Sequence, residues 1–327
     1  MDPALAVFMR SWTFDPWLIV PLSAAAGLYL RGWWLLHCQM PQRFGVWRLG
    51  SFQLGLGTLL LALASPLEAL AEVLLQAHMA QHLVLMMVAP PLLVCGAPIL
   101  PLLRGLPPVV LKRGLGPLLA WTVLRWLERL LTHPVLGWLA FVVATVAWHV
   151  PALYELALHS HFWHHVQHLC FLSTGMLFWW PVLQPWPSRP RWPRWAMIPY
   201  LLLADIQNTA LSAALVFSER ILYPTYLTVP RVWGISALDD QAAAGVMMWV
   251  PGSLAYLVPV GLLVMQLCGR AGNSPSLVAP PPQERRVPLA PPRPRSSRAP
   301  CQRRASDGRS RRNGAARSTR RRGRSPP

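Results

Sequence analysis

The chain has 327 residues, of which 54% are hydrophobic and 13% charged, and it carries 17 tryptophans. An average soluble domain has about a quarter of its residues charged, so this composition argues against a soluble globular protein and favours a membrane protein. The net charge of +18 comes mainly from residues 271–327, which hold 15 arginines against Glu284 and Asp307. The rest of the chain is only mildly basic, which argues against a nucleic-acid-binding protein.

Seven apolar windows follow one another along the chain, each long enough to cross the ~30 Å hydrocarbon core of a bilayer. The third window contains Pro90, Pro91, Gly96 and Pro98, which predict a kink or an early end, tolerable only where neighbouring helices cover the freed backbone groups. The sequence therefore predicts an all-α fold, a polytopic membrane protein with a bundle of seven transmembrane helices. These run over 16–36, 49–70, 73–103, 134–158, 160–184, 195–218 and 240–267.

The basic residues predict the orientation of this bundle. They cluster after the first, third, fifth and seventh windows, and of 30 lysines and arginines only Arg10, Arg220 and Arg231 fall on the opposite side. The positive-inside rule then places the N-terminus out and the C-terminus in, as a multi-pass protein of the bacterial inner membrane. We expect a transmembrane domain over 1–270. We expect residues 271–327 to form a disordered, Arg/Pro-rich cytoplasmic tail that touches membrane lipid and no specific nucleic acid.

The ten histidines segregate away from the arginines. At a rise of about 1.5 Å per residue, three of the predicted helices each place one histidine about 12–15 Å below their outer ends. Met247 and Met248 reach a comparable depth on the seventh helix. An ionisable side chain so deep in a bilayer is by default a candidate functional residue. Eight histidines lie in the outer loops or outer halves of the helices: His78, His82, His149, His159, His161, His164, His165 and His168.

Histidines on two of these helices occur in pairs four residues apart, which places both members of a pair on one helix face. Two imidazoles one turn apart can chelate a single metal ion. The pairs are His78 with His82 and His164 with His168. We therefore predict a metal site formed by His78, His82, His149, His164, His168 and Met248. The accessory candidates are His161, His165, Met247, Asp240, Gln241 and Asp205.

The types of these side chains indicate copper. Imidazole together with thioether, without a nearby thiolate, suits copper and particularly Cu(I), whereas imidazole alone also suits zinc or iron. Haem is the main competitor, because paired histidines from transmembrane helices are familiar axial ligands. The residues by themselves leave a copper ion and haem both open.

Four motifs carry a resemblance to a known family: H-M-x-Q-H at 78–82, W-H-x-P-x-L-Y at 148–154, W-H-x-x-Q-H-L at 163–169 and D-Q-x-x-x-G-x-x-M-W at 240–249. Over about residues 30–267 the chain resembles the CtaG family of cytochrome c oxidase assembly factors, of the seven-span membrane type. The resemblance implies a role in maturing haem-copper oxidase by handling copper on the periplasmic side. The motif positions it carries over are His78, His82, His149, His164 and His168, with Asp240, Gln241 and Met248 in the last motif. Because His161 and His165 extend the histidine stripe, which pair ligates stays open.

The predicted function is a membrane assembly factor, not an enzyme, that binds copper through the outer-half histidines and assists its delivery to the copper centre of the oxidase. Its expected partners are cytochrome c oxidase subunits, membrane lipid and a periplasmic copper chaperone. Two alternatives stay open. One is a copper permease, for which Asp205 would continue the path inward, and the other is a haem-ligating electron-transfer subunit.

Overall fold

The structure, a computed structural model, describes residues 11–117, 121–188 and 190–272. Every regular element in these ranges is helical. The α-helices are α1 Pro16–Gln39, α2 Val46–Ala64, α3 Pro66–Ala71, α4 Leu75–Leu83, α5 Ala89–Cys95, α6 Ile99–Gly105, α7 Thr122–Leu131, α8 Pro134–His149, α9 Pro151–Leu158, α10 His161–Leu183, α11 Met197–Val216, α12 Thr225–Thr228 and α13 Ala237–Gly272. Two π-helical segments, Val84–Val88 and Val110–Leu115, and two 3-10 turns, Arg194–Ala196 and Val232–Gly234, complete them.

Several of these helices are long and apolar enough to cross a membrane, so the chain is a multi-pass membrane protein. Among the described residues these are α1, α2, the continuous stretch Leu75–Cys95, α10 and α13, and the bent pair α8 and α9 makes a sixth if it is one span. A helix stands at each of the seven predicted windows, but α11 carries Asp205, Gln207 and Asn208 at its centre and falls outside this set. Seven spans and the direction of the termini stay predictions.

Proline divides two of the predicted windows. The second ends early, because Ser65 caps a new helix by accepting a hydrogen bond from the Leu67 amide (3.2 Å) and Pro66 occupies its first turn. The fourth divides at Val150, which precedes Pro151 and therefore takes an extended conformation. This break bends α8 against α9 by 76°. It leaves His149 at the corner, as the last residue of α8.

The proline pair in the third window produces a π-helical segment rather than a simple kink. The Met86 carbonyl would take its helical hydrogen bond from residue 90 in an α-helix and from residue 91 in a π-helix, but both are prolines and have no N–H. The Trp179 indole donates to this carbonyl instead, at 3.0 Å. The prediction that a neighbouring helix covers the freed backbone group is therefore confirmed.

The described core contains two apolar clusters. The larger one includes the buried rings of Tyr29, Phe52 and Phe171. The smaller one, near the α4 N-terminus, includes Tyr154 and Tyr226. Helix α13 continues to Gly272, two residues into the predicted tail. From position 273 onward, the predicted tail lies outside the described residues.

Helices α1 and α6 approach so closely that only glycine fits between them. A Cβ atom on Gly32 would lie 1.8 Å from the Pro101 carbonyl oxygen, whereas one on Gly27 of the same helix would meet nothing within 4 Å. We expect Gly32→Ala to lower the stability by about 1–3 kcal/mol, because the helices must separate. Gly27→Ala should be neutral or slightly stabilising. Thermal unfolding in detergent, followed by circular dichroism, measures both, and equal midpoints for the two variants would contradict this packing.

Candidate metal centre

Four histidine rings meet where α4 packs near α10, and we call His78, His82, His164 and His168 the histidine quartet. Within each helix the ring centroids are 4.3 Å apart for His78 and His82 and 4.1 Å apart for His164 and His168. Between the helices, His78 lies 5.4 Å from His164, and His82 lies 5.6 Å from His168. The two pairs that the spacing singled out therefore face each other.

The quartet lies at the boundary of the two apolar clusters. The His78 ring packs 5.2 Å from Tyr154 and the His82 ring 4.6 Å from Phe171. Only 1% of His78, 3% of His82 and 9% of His168 is exposed. The Nε2 atoms of all four rings, and Nδ1 of His82, have no hydrogen-bond partner within the described parts of the chain. Leaving a buried polar atom unpaired costs about 1–3 kcal/mol, so this set of nitrogens requires an explanation.

A hydrogen-bond chain fixes the tautomer of His78. The Tyr226 hydroxyl donates its one proton to the Ala71 carbonyl oxygen at 3.1 Å, and its oxygen lies 3.3 Å from His78 Nδ1. Since that oxygen can then only accept, Nδ1 carries the ring proton and Nε2 keeps its lone pair. Burial raises the pKa of Tyr226 above its ordinary value, so the hydroxyl keeps its proton.

His149 has the same arrangement on another helix. Its Nδ1 lies 2.6 Å from the Thr145 carbonyl oxygen, which can only accept, so Nε2 again holds the lone pair and has no partner in the described residues. His149 does not stack on the quartet. It lines a small cavity that His82 also lines, which we call the methionine cavity and define by Met79, His82, Met86, Met87, His149 and Met248.

A carboxylate stands behind His164. Glu68 Oε1 lies 3.7 Å from His164 Nδ1, and the Gln81 amide donates both to the other Glu68 oxygen and to the Ala62 carbonyl at 2.8 Å. Burial raises the pKa of the Glu68 carboxyl above its ordinary value, and the hydrogen bond from Gln81 offsets only part of this rise. Sequence reasoning missed both residues as parts of the site. Gln81 could have indicated this support, because it is one of the specified residues of the first motif and lies between His78 and His82 in the sequence.

The side chains of Asp240 and Gln241 bond to backbone amides rather than to a histidine ring. The Asp240 carboxylate accepts from the amides of Leu75 and Gln76 at 2.7 and 3.1 Å, at the N-terminus of the helix that carries His78 and His82. Gln241 accepts from the Leu222 amide at 2.8 Å. Asp240 therefore positions the start of α4, and Gln241 positions the loop that follows α11.

The other accessory candidates lie around the site. His161 and His165 are exposed, and His165 Nδ1 bonds the His161 carbonyl at 2.7 Å. Met247 is partly buried and does not line the methionine cavity, whereas its neighbour Met248 does. Asp205 is partly buried, with one carboxylate oxygen that has no partner in the described ranges.

Two surface openings reach the quartet. A pocket of about 280 Å³ is lined by His78, His164 and Glu72 among others. A groove of about 470 Å³ reaches His168 and is lined by Glu68 and Asp15 as well. The carboxylates at these openings favour the approach of a cation.

The quartet rings pack on one another rather than around a common point. His82 stands at 87° to His78 and at 79° to His168. In the ranges that the structure describes, no group of three or more His, Cys, Asp or Glu side chains is arranged to hold a metal ion. Ligation by the quartet therefore requires the rings to rotate.

Comparison with known proteins gives a family and distant relatives. The family model for the cytochrome c oxidase caa3 assembly factor matches residues 27–270. Uncharacterized proteins from Mycobacterium bovis and Mycobacterium tuberculosis are each 26% identical over 277 residues, and one from Mycobacterium leprae is 26% identical over 268 residues. Each match covers 81% of this chain and 40% of the relative, so the chain spans less than half the length of these proteins. No solved structure matches the chain.

The cap on α4 can be tested directly. We expect Asp240→Ala to destabilise the protein by about 1.5–3 kcal/mol, because it removes a charged acceptor from two amides at the start of α4. Asp239→Ala is the matched control, since among the described residues the Asp239 carboxylate accepts a side-chain hydrogen bond only from Ser236, three positions earlier in the chain. Hydrogen exchange of a peptide covering 75–82 should accelerate in Asp240→Ala alone. Unchanged exchange in that variant would show that the carboxylate does not hold the helix.

Proposed function

The chain belongs to the family of cytochrome c oxidase caa3 assembly factors, and from this membership we propose that it binds copper at the histidine quartet and assists its delivery to the copper centre of the oxidase. It acts as a non-enzymatic protein of the bacterial inner membrane, with copper as its cargo. Its partners are oxidase subunits and a periplasmic copper chaperone, with membrane lipid around it.

The observation that carries this proposal is the set of buried ring nitrogens without partners. Four imidazoles from two helices offer Nε2 atoms within one small volume, and the contacts of His78 Nδ1 leave the Nε2 lone pair of that ring free for a metal. Neutral imidazole suits copper. Rotation of the rings about their side-chain bonds turns these nitrogens toward a common ion.

Glu68 supports this proposal from behind His164. Histidine ligands generally give their second ring N–H to a carboxylate or carbonyl, which orients the ring and makes the free nitrogen a better donor. Glu68 stands 3.7 Å from His164 Nδ1 and is itself held by Gln81. A small rotation of either side chain completes that hydrogen bond.

The packing favours an ion over haem. A macrocycle held by two axial histidines needs a flat slot between their rings, whereas the quartet rings contact each other at centroid distances of 4.1–5.6 Å. The packing also favours storage and release over a permease. Further along α10, the fully buried rings of Phe171 and Phe178 follow the quartet, and the hydroxyl of Thr174 between them donates to the Cys170 carbonyl of the same helix.

Alanine at quartet positions tests the copper proposal. We expect His78→Ala, His82→Ala and His168→Ala to lower the bound copper of the purified protein and the activity of the oxidase in cells, while the protein stays inserted. The reason is that each change removes one imidazole from a shared set. Elemental mass spectrometry measures the copper bound to the purified protein, and its visible absorbance spectrum is recorded alongside.

His159→Ala is the matched control, because His159 is an exposed outer histidine outside the quartet. Full oxidase maturation in all three quartet variants would refute a role for the quartet. A Soret band in the purified protein would favour haem instead, and copper uptake into vesicles would favour the permease.

The carboxylate behind His164 gives an independent test. We expect Glu68→Gln to weaken copper binding by about tenfold or more, because the amide is a poorer acceptor for an imidazole N–H. Glu219→Gln serves as the control, since Glu219 is exposed and lines neither opening to the quartet. Competition with a chromogenic copper chelator measures both variants, and equal affinities would show that Glu68 does not support the site.

A further inference from the structure

The methionine cavity is separate from the quartet but shares His82 with it. Its free volume is about 20 Å³, enough for one water-sized ligand. The four thioethers that line it are buried, with exposures of 1% for Met79, 6% for Met86, 7% for Met87 and 6% for Met248. No carboxylate or thiol lines it among the described residues.

Two imidazoles line the same cavity. His149 brings an Nε2 lone pair that has no partner in the described chain, and its tautomer is fixed by Thr145. His82 brings a ring of which neither nitrogen is bonded to a described residue. Methionines alone are ordinary core fillers. Together with two buried and unpaired ring nitrogens they form a ligand set.

The backbone holds two of these thioethers in place. Met86 and Met87 lie in the π-helical segment Val84–Val88, which the proline pair imposes and the Trp179 indole anchors at the Met86 carbonyl. Such π-helical turns occur frequently at functional sites. Here the turn directs two successive methionines to one cavity. Asn208 fixes the opposite wall by donating to the Met248 carbonyl at 3.1 Å.

We propose that the methionine cavity is a second metal site, selective for Cu(I), in which thioether sulfurs join the rings of His82 and His149. Soft sulfur with imidazole suits Cu(I) and disfavours hard cations. This inference rests on the proposed function, because the same ion serves both sites. It adds a site of different chemistry and a path between the two.

His82 connects the two sites. A neutral imidazole has one lone pair, so His82 ligates one ion at a time, through either nitrogen according to its tautomer. Transfer from the quartet to the cavity is then a ligand exchange. Bonds from copper to quartet nitrogens break, bonds to sulfur and to His149 Nε2 form, and the ion keeps its oxidation state.

X-ray absorption at the copper edge tests the proposal on the purified full chain, reduced under anaerobic conditions and loaded with one equivalent of Cu(I). The test variant replaces the four lining methionines, at positions 79, 86, 87 and 248, by leucine, which conserves volume. Met247→Leu is the matched control on α13. We expect sulfur together with nitrogen around copper in the wild type and in Met247→Leu, and nitrogen alone in the fourfold variant. That variant should also bind Cu(I) about tenfold more weakly.

Each outcome decides one point. Nitrogen alone around copper in the wild type overturns the cavity site and leaves the quartet proposal standing. Sulfur that persists in a folded fourfold variant overturns it as well. A wild-type protein that binds no copper overturns the proposed function itself. If the fourfold variant does not fold, the wild-type spectrum alone decides.

Discussion

A neutral imidazole has one N–H and one lone pair to satisfy, and the contacts around the histidine quartet and the methionine cavity are organised around that requirement. Tyr226 and Thr145 each accept a ring N–H, of His78 and His149. The Nε2 atoms of both rings are buried and have no partner among the residues that the structure describes. An unpaired buried nitrogen costs about 1–3 kcal/mol. The two apolar clusters that pack against the rings offset this cost.

The same requirement explains why several contacts around the site hold the histidine rings in position. Asp240 reaches from α13 to hold the start of α4, 165 residues away in the sequence. Glu68 and Gln81 hold each other behind His164. These contacts place charged or amide groups at positions where burying an apolar side chain would cost less free energy. Their common effect is to fix the rings of α4 and α10 opposite each other.

Helical periodicity was enough to predict which histidines pair, because residues four apart must share a face. It could not predict their supporting partners. Tyr226 contacts His78 across 148 residues of chain, and only the fold of the loop that contains α12 brings them together. Asp240 and Gln241 were accessory candidates because the last motif contains them, and the backbone amides of Leu75 and Leu222 that they bond could not be predicted from the sequence.

Hydropathy predicted where the helices lie, but the sequence predicted their interruptions less completely. Pro90 and Pro91 predicted a break, yet the π-helical turn depends on Trp179 from another helix. The 76° bend at Val150 was missed because it falls within a continuous apolar window. Conversely, α11 was predicted from its length, and the polar residues at its centre set it apart from the helices whose composition alone indicates a span.

The bend after His149 also has an electrical consequence. Because Pro151 ends α8 at this residue, the C-terminal end of the helix dipole, equivalent to roughly half a negative charge, falls beside the methionine cavity. A partial charge of this size can balance one positive charge far better than two. Because no carboxylate lines the cavity among the described residues, this helix end supplies negative potential there, and the proline that interrupts the helix determines its place.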